Sequence, residues 1–520
     1  MARFFPIGIQ TFSEIRERNA IYIDKTHKIY ELANDGKVYF LSRPRRFGKS
    51  LLISTLESYF KGEKELFTGL AIEKLEQNWT KYPVFRIDMS GAKYLDLDSL
   101  NERIDIILSR YEEIYGRQDA NQRPSSRLSN LIERAYKQTG QKVVVLIDEY
   151  DAPLLDTLVD DETFKLMRNT MRDFFSPLKA CDAMLRFVFL TGITKFSQLS
   201  IFSELNNLNN ISMDDAYCDI CGISSTELQA QMQPELQEMA HKMEISVDEL
   251  LLKMKKKYDG YHFSPRSADI FNPFSVLNAL NKKELGSYWF SSGTPTFLVE
   301  KIQKSALNPT DFDEGFETTI DTFDVPTEST SSPIPVLFQS GYLTIKGYNP
   351  NSFSAYTLGY PNEEVRDGFL KCLIARYSRL EPQQYNSFIN KLINNFKANS
   401  LDTFFAELRA FMSSIPYDAE EQNELHYKTI IYLVFRIASP YLVRCEEKSA
   451  AGRSDVVVET ADSVYVMEFK LDGSVDDALK QIGEKGYLLP YSANGKTLYK
   501  IGVNFDTKTR TIGEWKVVTN

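Results

Sequence analysis

The sequence predicts an α/β protein whose N-terminal region contains a parallel sheet covered by helices on both faces. One observation is an apolar strand that passes through a short loop directly into a helix, between Val38 and Leu56. A second is the alternation of four strand-like segments with helical segments over residues 1–215. A third is a separate group of apolar strands flanked by helices in residues 421–520, which predicts a smaller α/β domain there. Residues 216–420 have a mostly helical pattern.

The four N-terminal strands are short apolar runs of the kind that parallel sheets bury on both faces. They are predicted at Val38 to Leu41, Pro83 to Asp88, Val143 to Asp148 and Arg186 to Thr191.

The loop after the first strand has the composition of a phosphate-binding site. Gly48, Lys49 and Ser50 open a helix, where free backbone N–H groups and the positive helix end attract phosphate. Lys49 is expected to reach the β- and γ-phosphates of a nucleotide, and the Ser50 hydroxyl is expected to bind Mg²⁺.

Several arginines lie in or near this motif. Arg43 stands where the motif usually has its first glycine, and with Arg45 and Arg46 it is expected to surround the phosphate and serve the nucleotide. As donors of positive charge to the reaction, Arg45, Arg46, Arg172 and Arg186 cannot be ranked from the sequence.

Two later strands end in polar residues that suit nucleotide hydrolysis. Asp148 is expected to hold the Mg²⁺ through water, and Glu149 to polarise the attacking water. Thr191 ends the fourth strand, where it is expected to sense the γ-phosphate, although polar strand ends also occur for purely structural reasons. The predicted nucleotide-binding residues are Arg46, Phe47, Gly48, Lys49, Ser50, Leu51, Asp148 and Thr191, with Glu149 as the catalytic residue.

Composition limits the class of protein. A chain of 520 residues is too long for one core, and its net charge of −10 gives no global attraction to nucleic acid. The sequence contains no run of 18 apolar residues and no signal peptide, so we expect a cytoplasmic protein without a membrane partner. Five cysteines fit a reducing compartment, and Cys218 with Cys221 is expected to be a buried pair rather than a zinc site.

The middle region carries weaker signals. Glu235 to Lys257 has a Met and Leu stripe that predicts a core-facing helix, and YDGYHFS at 258–264 is expected to be packed core rather than a base-stacking surface. Asn308 to Pro335 suggests a surface loop or linker. A hairpin is predicted from VLFQSGYLTIKGY and FSAYTLGYP, followed by helices from Glu363 to Met412, and a winged-helix element is one interpretation of this region.

A second constellation occurs near the end of the chain, in GRSDVVVETADSVYVMEFK. Asp455 begins one apolar strand, and Glu468 and Lys470 share one face of the next, because alternate residues of a strand point the same way. A hairpin across residues 460–462 would bring Asp455 beside Glu468. Two carboxylates make an oxygen-ligand site for Mg²⁺ or Mn²⁺, and Lys470 is expected to position or help deprotonate a water, which suits phosphodiester hydrolysis.

Further residues are predicted to join this site on less specific sequence signals than those for Asp455, Glu468 and Lys470. Glu424 is expected to supply a third carboxylate, with Glu446 as its rival. A helix from Asp476 to Tyr487 is expected to bring Gln481, Lys485 and Tyr487 near the site. The alternative is a surface hairpin that carries only a Glu–Lys ion pair.

With these motifs in view, the whole chain resembles a bacterial family that joins an N-terminal AAA-ATPase-like domain to a C-terminal domain of the PD-(D/E)XK nuclease superfamily. The resemblance rests on RPRRFGKS, VLIDEYDAP, FLTGITKFS, YDGYHFS, LFQSGYLTI, GRSD and MEFK. It implies a P-loop NTPase domain with an arginine-rich loop and a restriction-endonuclease-like nuclease domain. By position it implies phosphate binding by Gly48, Lys49 and Ser50, metal and water roles for Asp148 and Glu149, and nuclease roles for Asp455, Glu468 and Lys470. Ser454 replaces the proline of the nuclease signature, a change that does not touch the metal.

The leading hypothesis is a cytoplasmic, ATP-dependent and Mg²⁺-requiring nuclease that acts on DNA. Defence against foreign DNA or a role in mobile elements would fit this activity. One rival is an ATP-driven regulatory switch whose C-terminal domain binds nucleic acid or a protein without cutting, and another is a DNA-binding transcription regulator. A ring or a dimer of identical chains is compatible with the NTPase half.

Overall fold

The computed structural model describes the chain in segments that form two compact units, and the chain passes from the first to the second between Arg366 and Asp367. The described residues are 3–117, 122–158, 160–195, 208–292, 298, 302, 311–327, 331–378, 382–413, 433–435, 437, 444–445, 448–449, 452–453, 456–460, 462–492, 495–509 and 511–519. The division into residues 1–215, 216–420 and 421–520 stays a prediction.

The first unit is built on a five-stranded parallel sheet, which confirms the predicted class. In chain order its strands are β1 (Val38–Ser42), β2 (Val84–Asp88), β3 (Val143–Asp148), β4 (Leu185–Gly192) and β5 (Asn209–Asn210). The spatial order is β2-β3-β4-β1-β5. All six residues of β3 are buried, so both faces of the sheet are covered. The carboxyl ends of β1 to β4 meet at one edge, where Asp88 pairs with Asp148 and Leu41 with Thr191.

Helices of the first unit fall into three groups along the chain. Those up to β4 are α1 to α8, at Phe12–Glu17, Thr26–Asp35, Lys49–Phe60, Leu97–Tyr115, Pro124–Thr139, Ala152–Asp156, Asp161–Phe175 and Pro177–Ala180. A helical cluster follows, with α9 to α12 at Ser225–Gln231, Gln233–Lys242, Val247–Tyr258 and Pro273–Lys282. The last group is α13 to α15, at Asp311–Glu314, Ile320–Phe323 and Ile334–Gln339.

Local sequence explains where several of these helices begin. Asp96 accepts a hydrogen bond from the Ser99 amide and forms a capping box at the start of α4. The Met and Leu stripe predicted as one helix is two, α10 and α11, because Ser246 caps a new helix by accepting from the Glu249 amide.

The α9–α12 cluster has its own core, which also takes in Ile21 from the N-terminal segment. The short strands β6 (Ile223–Ser224) and β7 (Ile270–Phe271) pair beside it. Within YDGYHFS, Tyr258 and Tyr261 are at most 1% exposed, so the prediction of packed core for this stretch is confirmed.

The segment predicted as a surface loop, Asn308 to Pro335, is partly folded where it is described, so that prediction is wrong. It contributes α13, α14 and β8 (Phe316–Thr318), and the fully buried Phe323 packs against the rings of Phe338 and Tyr356 at centroid distances of 4.6 and 5.1 Å. Its aromatic residues are irregularly spaced, so no period showed that they are core.

The predicted hairpin is present but shorter than expected. VLFQ lies in the helix α15, and the two paired strands are β9 (Thr344–Tyr348) and β10 (Tyr356–Gly359). With β8 they form a three-stranded antiparallel sheet in the order β8-β10-β9. The chain order of strand, two helices and hairpin is compatible with a winged-helix element, which stays a prediction.

The second unit contains another five-stranded sheet, here with mixed strand directions. Its strands are β11 (Arg444–Cys445), β14 (Val456–Glu459), β15 (Ser463–Leu471), β16 (Thr497–Asp506) and β17 (Thr511–Thr519), in that spatial order. Only the β15–β16 pair is parallel. The short strands β12 (Lys448–Ser449) and β13 (Gly452–Arg453) pair separately.

In the described part of the chain the remaining helices are α16 to α19, at Glu363–Ser378, Pro382–Lys397, Leu401–Ser413 and Val475–Glu484. The helical region expected from Glu363 to Met412 is therefore confirmed as three helices. Across the described residues, no helix combines the length and apolarity that crossing a membrane requires.

Asp259, at the end of α11, is a buried carboxyl whose burial has a pH-dependent consequence. It is 4% exposed, and its Oδ1 has no hydrogen-bond partner among the described residues. Burial raises its pKa from 3.8 to about 7. Between these two values the folded protein binds the proton more tightly than the unfolded chain does, so this group makes the fold less stable as the pH rises through that window.

We predict that Asp259→Asn will raise the melting temperature more at pH 8 than at pH 5, because the amide carries no charge that must be buried. Thermal unfolding of both proteins at the two pH values measures the difference. The exposed Asp248→Asn serves as the matched control, with equal shifts at both pH values. An Asp259→Asn shift that does not depend on pH would contradict the prediction.

Candidate functional site

Gly48 sets the geometry of the loop between β1 and α3. Its φ of 92° lies in the left-handed region that glycine adopts without strain, and it precedes the first residue of the helix. As the N-cap residue of α3, Gly48 provides no side chain that could cap the helix. The backbone N–H groups of Lys49 and Ser50 therefore begin the helix at the place where the sequence predicted phosphate binding.

Arg43 does not surround the phosphate site, and that prediction is wrong. It is 1% exposed, and its guanidinium donates to the carbonyl oxygens of Ser42, Ser212, Tyr217 and Cys218 at 2.9, 2.7, 3.1 and 3.3 Å. It also lies 4.1 Å from the ring centroid of Phe263. Burial lowers the pKa of Arg43 to about 10. Three of these partners lie about 170 residues further along the chain, so no local sequence pattern indicates this structural role.

Two buried side chains anchor the loop, and Phe47 is the second of them after Arg43. It is 1% exposed, and its ring packs edge-on against Tyr261 and Phe263 at centroid distances of 4.7 and 5.3 Å. With Leu51 it lines a small, largely apolar cavity of about 110 Å³. Between the two anchors, the side chains of Arg45 and Arg46 are exposed.

Lys49 turns back over the loop. Its ammonium donates to the carbonyl oxygens of Arg43 and Pro44 at 3.0 and 3.1 Å. Burial lowers its pKa, while the nearby carboxylates of Glu149, Asp151 and Asp148 act in the opposite direction. The cation and the acidic ends of the strands therefore occupy one small region.

Ser50 and Asp148 form a pair of oxygen groups at the edge of the sheet. The Ser50 hydroxyl hydrogen-bonds to the Asp148 carboxylate, which opposes the rise in the pKa of Asp148 caused by burial. Asp148 is 2% exposed, and within the described part of the chain its Oδ1 has no hydrogen-bond partner. A hydroxyl next to a buried carboxylate with a spare oxygen is a donor set that suits Mg²⁺.

Glu149 and Asp151 both follow β3, but their side chains have different surroundings. Glu149 has a φ of 48°, unusual for a residue with a side chain, and it lines the large cavity described below. Burial raises its pKa, and the neighbouring Lys49 opposes that rise. Asp151 accepts from the amides of Ile193 and Thr194 at 2.9 and 2.7 Å. Sequence reasoning missed Asp151, whose only signal was its place in the acidic DEYD run.

Thr191 lies where the sequence placed it, at the end of β4 beside β1. It is fully buried, and no described residue forms a hydrogen bond with its Oγ1. Thr191 therefore lies beside Asp148 at the end of the sheet, because the preceding residues Leu190 and Ile147 are paired.

Lys49, Ser50, Glu149 and Asp151 border a cavity of about 510 Å³, whereas Asp148 and Thr191 are not among its lining residues. Its polar and charged lining residues include Arg45, Arg46, Lys49, Ser50, Glu149 and Asp151. Apolar residues come from the N-terminal segment and from the start of α12, among them Ile7, Ile9, Pro273, Phe274 and Leu277. The cavity thus combines cations and carboxylates at the loop with apolar walls, which suits a nucleotide better than a wholly polar ligand.

The chain beyond β4 connects this site to the β8–β10 region of the first unit. The Lys195 amide donates to Gln339 Oε1 at 2.7 Å, and the Lys195 ammonium forms an ion pair with Asp324. The Thr327 amide donates to the Lys195 carbonyl oxygen at 3.1 Å. Lys195 therefore makes three separate contacts with this region, and it directly follows Thr194, which bonds to Asp151.

In the second unit, Glu468 and Lys470 lie on the same face of β15, as predicted. The Lys470 ammonium donates to Glu468 Oε1 at 3.3 Å, and Glu468 is 4% exposed. Gln481 of α19 hydrogen-bonds to both side chains, donating to Glu468 Oε1 and accepting from Lys470. The expected neighbouring helix and its Gln481 are thus confirmed in position, but the helix ends at Glu484, and Tyr487 packs in the apolar core of this unit.

The predicted hairpin is also confirmed, since β14 pairs antiparallel with β15 and Val456 lies opposite Met467. Asp455, Glu424 and its rival Glu446 lie outside the described residues. Within the described ranges, no three His, Cys, Asp or Glu side chains converge as a metal site.

We predict that Arg43→Lys will lower the free energy of unfolding of the first unit by about 3 kcal/mol, because one ammonium cannot serve carbonyls on several sides and leaves buried oxygens unsatisfied. Urea unfolding measures the loss. The exposed Arg45→Lys is the matched control and should change stability by less than about 0.5 kcal/mol. Equal stability of the two variants would contradict the structural role of Arg43.

Comparisons with known proteins cover both units. Residues 6–202 match the family described as predicted AAA-ATPase, and residues 422–515 match the PD-(D/E)XK nuclease superfamily. A protein of Azotobacter chroococcum mcd 1, named "Uncharacterized protein in vnfD 5'region", is 35% identical over 523 residues, which cover 98% of this chain and 97% of that protein. The chain belongs to the family of AAA-ATPase-like proteins that carry a C-terminal domain of the PD-(D/E)XK nuclease superfamily.

Proposed function

We propose that this protein binds and hydrolyses ATP and that its C-terminal domain is an Mg²⁺-dependent nuclease that cuts DNA. The observation that carries the first half is the convergence of Lys49, Ser50, Asp148 and Glu149 on one edge of a parallel sheet, beside a cavity of about 510 Å³. The family membership supports both halves.

In the ATPase half, the first amides of α3 and the Lys49 ammonium bind the β- and γ-phosphates. Ser50 and Asp148 would hold Mg²⁺, which would offset the phosphate charge. Glu149 lies at the cavity wall, where its carboxylate orients the attacking water and accepts its proton. Thr191 places its hydroxyl at the end of β4 for the γ-phosphate.

In the nuclease half, Glu468 and Lys470 supply a carboxylate and an ammonium on one strand face. Mg²⁺, or Mn²⁺ in its place, would be held by Glu468 together with Asp455 and Glu424, and would lower the pKa of the attacking water. Lys470 positions that water. Gln481 holds both side chains in position, because it hydrogen-bonds to each of them.

The contacts of Lys195 support communication from the nucleotide site to the middle of the chain. Lys195 directly follows Thr194, whose amide donates to Asp151. Lys195 also contacts the side chains of Asp324 and Gln339. A change at the phosphate edge therefore has a direct route into the β8–β10 region. The same contacts favour the second candidate, an ATP-driven switch whose C-terminal domain binds nucleic acid or a protein partner without cutting.

We also propose a cellular location, a substrate, a biological role and an assembly for the protein. We place the protein in the cytoplasm, with DNA as its substrate, a role in defence or mobile elements, and a ring or dimer of identical chains as the working assembly.

We predict that Lys49→Ala will lower ATP turnover by at least about 100-fold, because it removes the cation that neutralises the phosphates in a desolvated site. Phosphate release measures turnover. The exposed Lys64→Ala is the matched control and should keep the wild-type rate. Normal hydrolysis by Lys49→Ala would overturn the ATPase assignment.

We predict that Glu468→Ala and Lys470→Ala will each lower Mg²⁺-dependent cleavage of DNA by at least about 100-fold while leaving ATP turnover unchanged. Cleavage of single- and double-stranded DNA and RNA is measured with Mg²⁺ or Mn²⁺, with and without ATP, and chelation by EDTA should stop it. The exposed Glu484→Ala is the control. No cleavage by the wild-type protein under any of these conditions would favour the switch.

A further inference from the structure

We propose that Arg46 is the cation that contacts the terminal phosphate of ATP during hydrolysis, and that Phe274 holds its guanidinium in position. The proposal rests on the ATPase function and adds the residue that stabilises the charge of the transferred phosphoryl group. The geometry separates the four arginines that the sequence left unranked.

Two of those arginines are in the wrong place. Arg186 is the second residue of β4, at the opposite end of the strand from Thr191, and it donates to the Ala33 carbonyl oxygen at 2.8 Å. Five residues of extended chain span about 16 Å, beyond the reach of its side chain. Arg172 lies in α7 and is not among the residues that line the cavity.

Arg46 lines the cavity together with Lys49, Ser50 and Glu149. No hydrogen bond or ion pair joins its side chain to another described residue, so its charge is available to a ligand. Its φ of 67° is a strained conformation for a residue with a side chain, and such strain gathers at functional sites. The buried neighbours Arg43 and Phe47 hold the loop on either side and maintain this conformation.

Phe274 supplies a platform for the guanidinium. The Arg46 Cζ atom lies 5.0 Å from the ring centroid, within the range of a cation–π contact. The ring belongs to the first turn of α12, which Asn272 caps by accepting from the Ser275 amide at 3.1 Å. The Asn278 side chain also donates to the Phe274 carbonyl oxygen at 2.8 Å. The platform is therefore part of a well-fixed helix start rather than of a loose loop.

Arg45 is the competitor, because it also lines the cavity. Its backbone carbonyl oxygen accepts from the Trp289 indole at 3.1 Å, but its side chain rests on no aromatic ring among the described residues. Arg46 is thus the arginine whose guanidinium is held by protein contacts at the cavity.

The reaction that Arg46 serves is the transfer of the γ-phosphoryl group to water. The water oxygen forms a bond to the γ-phosphorus while the bond to the β,γ-bridging oxygen breaks, and Glu149 takes the water proton. ADP and inorganic phosphate leave. The guanidinium stabilises negative charge on the γ-phosphate oxygens, a role that is absent when only ADP is bound.

The test measures steady-state ATP turnover by the full chain and equilibrium binding of ADP and of the non-hydrolysable analogue AMP-PNP. We expect Arg46→Ala to lower kcat by at least about 100-fold and to weaken AMP-PNP but not ADP, with Arg46→Lys recovering only part of the rate. Phe274→Leu should lower kcat by about tenfold with little change in ADP affinity, and Phe274→Tyr, which keeps the ring, should restore it. Arg18→Ala, which removes an exposed arginine 5.7 Å from the Phe4 ring, is the matched control.

The outcomes separate this inference from the function on which it rests. A wild-type protein that neither binds nor hydrolyses ATP would overturn the ATPase proposal and this inference together. Wild-type hydrolysis with an unchanged kcat in Arg46→Ala, or with the loss appearing in Arg45→Ala instead, would overturn the inference alone. The wild-type protein could also bind AMP-PNP without hydrolysing ATP. In that case an Arg46→Ala variant that prefers AMP-PNP over ADP as strongly as the wild-type protein does would overturn the inference alone. Equal rates in Phe274→Leu and Phe274→Tyr would reject the positioning role of Phe274.

Discussion

The AAA-ATPase-like domain of this protein depends on a buried guanidinium. Arg43 bonds to four carbonyl oxygens from β1 and from the chain around Ser212 and Cys218, so it fastens the loop between β1 and α3 to segments that are distant in sequence. A glycine at this position would leave those carbonyl oxygens without donors in the interior. Because Arg43 and Phe47 fix the loop from inside, Arg45 and Arg46 are free to face the cavity.

The same edge of the sheet gathers carboxylates that burial makes costly to ionise. The pKa values of Asp148, Glu149 and Asp151 are all raised by burial, and Lys49 offsets part of that cost. Such a cluster is stable only if each carboxylate has a partner or awaits a cation. Asp151 has found protein partners in the Thr194 amide and hydroxyl, whereas Asp148 keeps one oxygen for another ligand.

The second unit reaches its geometry by a simpler route. Two residues of one strand face the same way, and a glutamine from the following helix joins them, so the Glu468, Lys470 and Gln481 arrangement needs only β15 and α19. Glu468 is almost fully buried next to Lys470, which keeps its carboxylate paired in a nonpolar setting. The two units therefore place the residues proposed for phosphate chemistry in different structural contexts, a strand-edge loop in one and a strand face in the other.

The sequence by itself determined the strands β1 to β4, the loop at Gly48-Lys49-Ser50 and the shared face of Glu468 and Lys470. These follow from local apolar runs and from the period of a strand, which are properties of neighbouring residues. Only the tertiary structure decided that Arg43 is a structural anchor, that Asp151 bonds to the end of β4, and that Phe274 supports Arg46. Each of these contacts joins segments far apart in the chain, and no local period records which distant groups will meet.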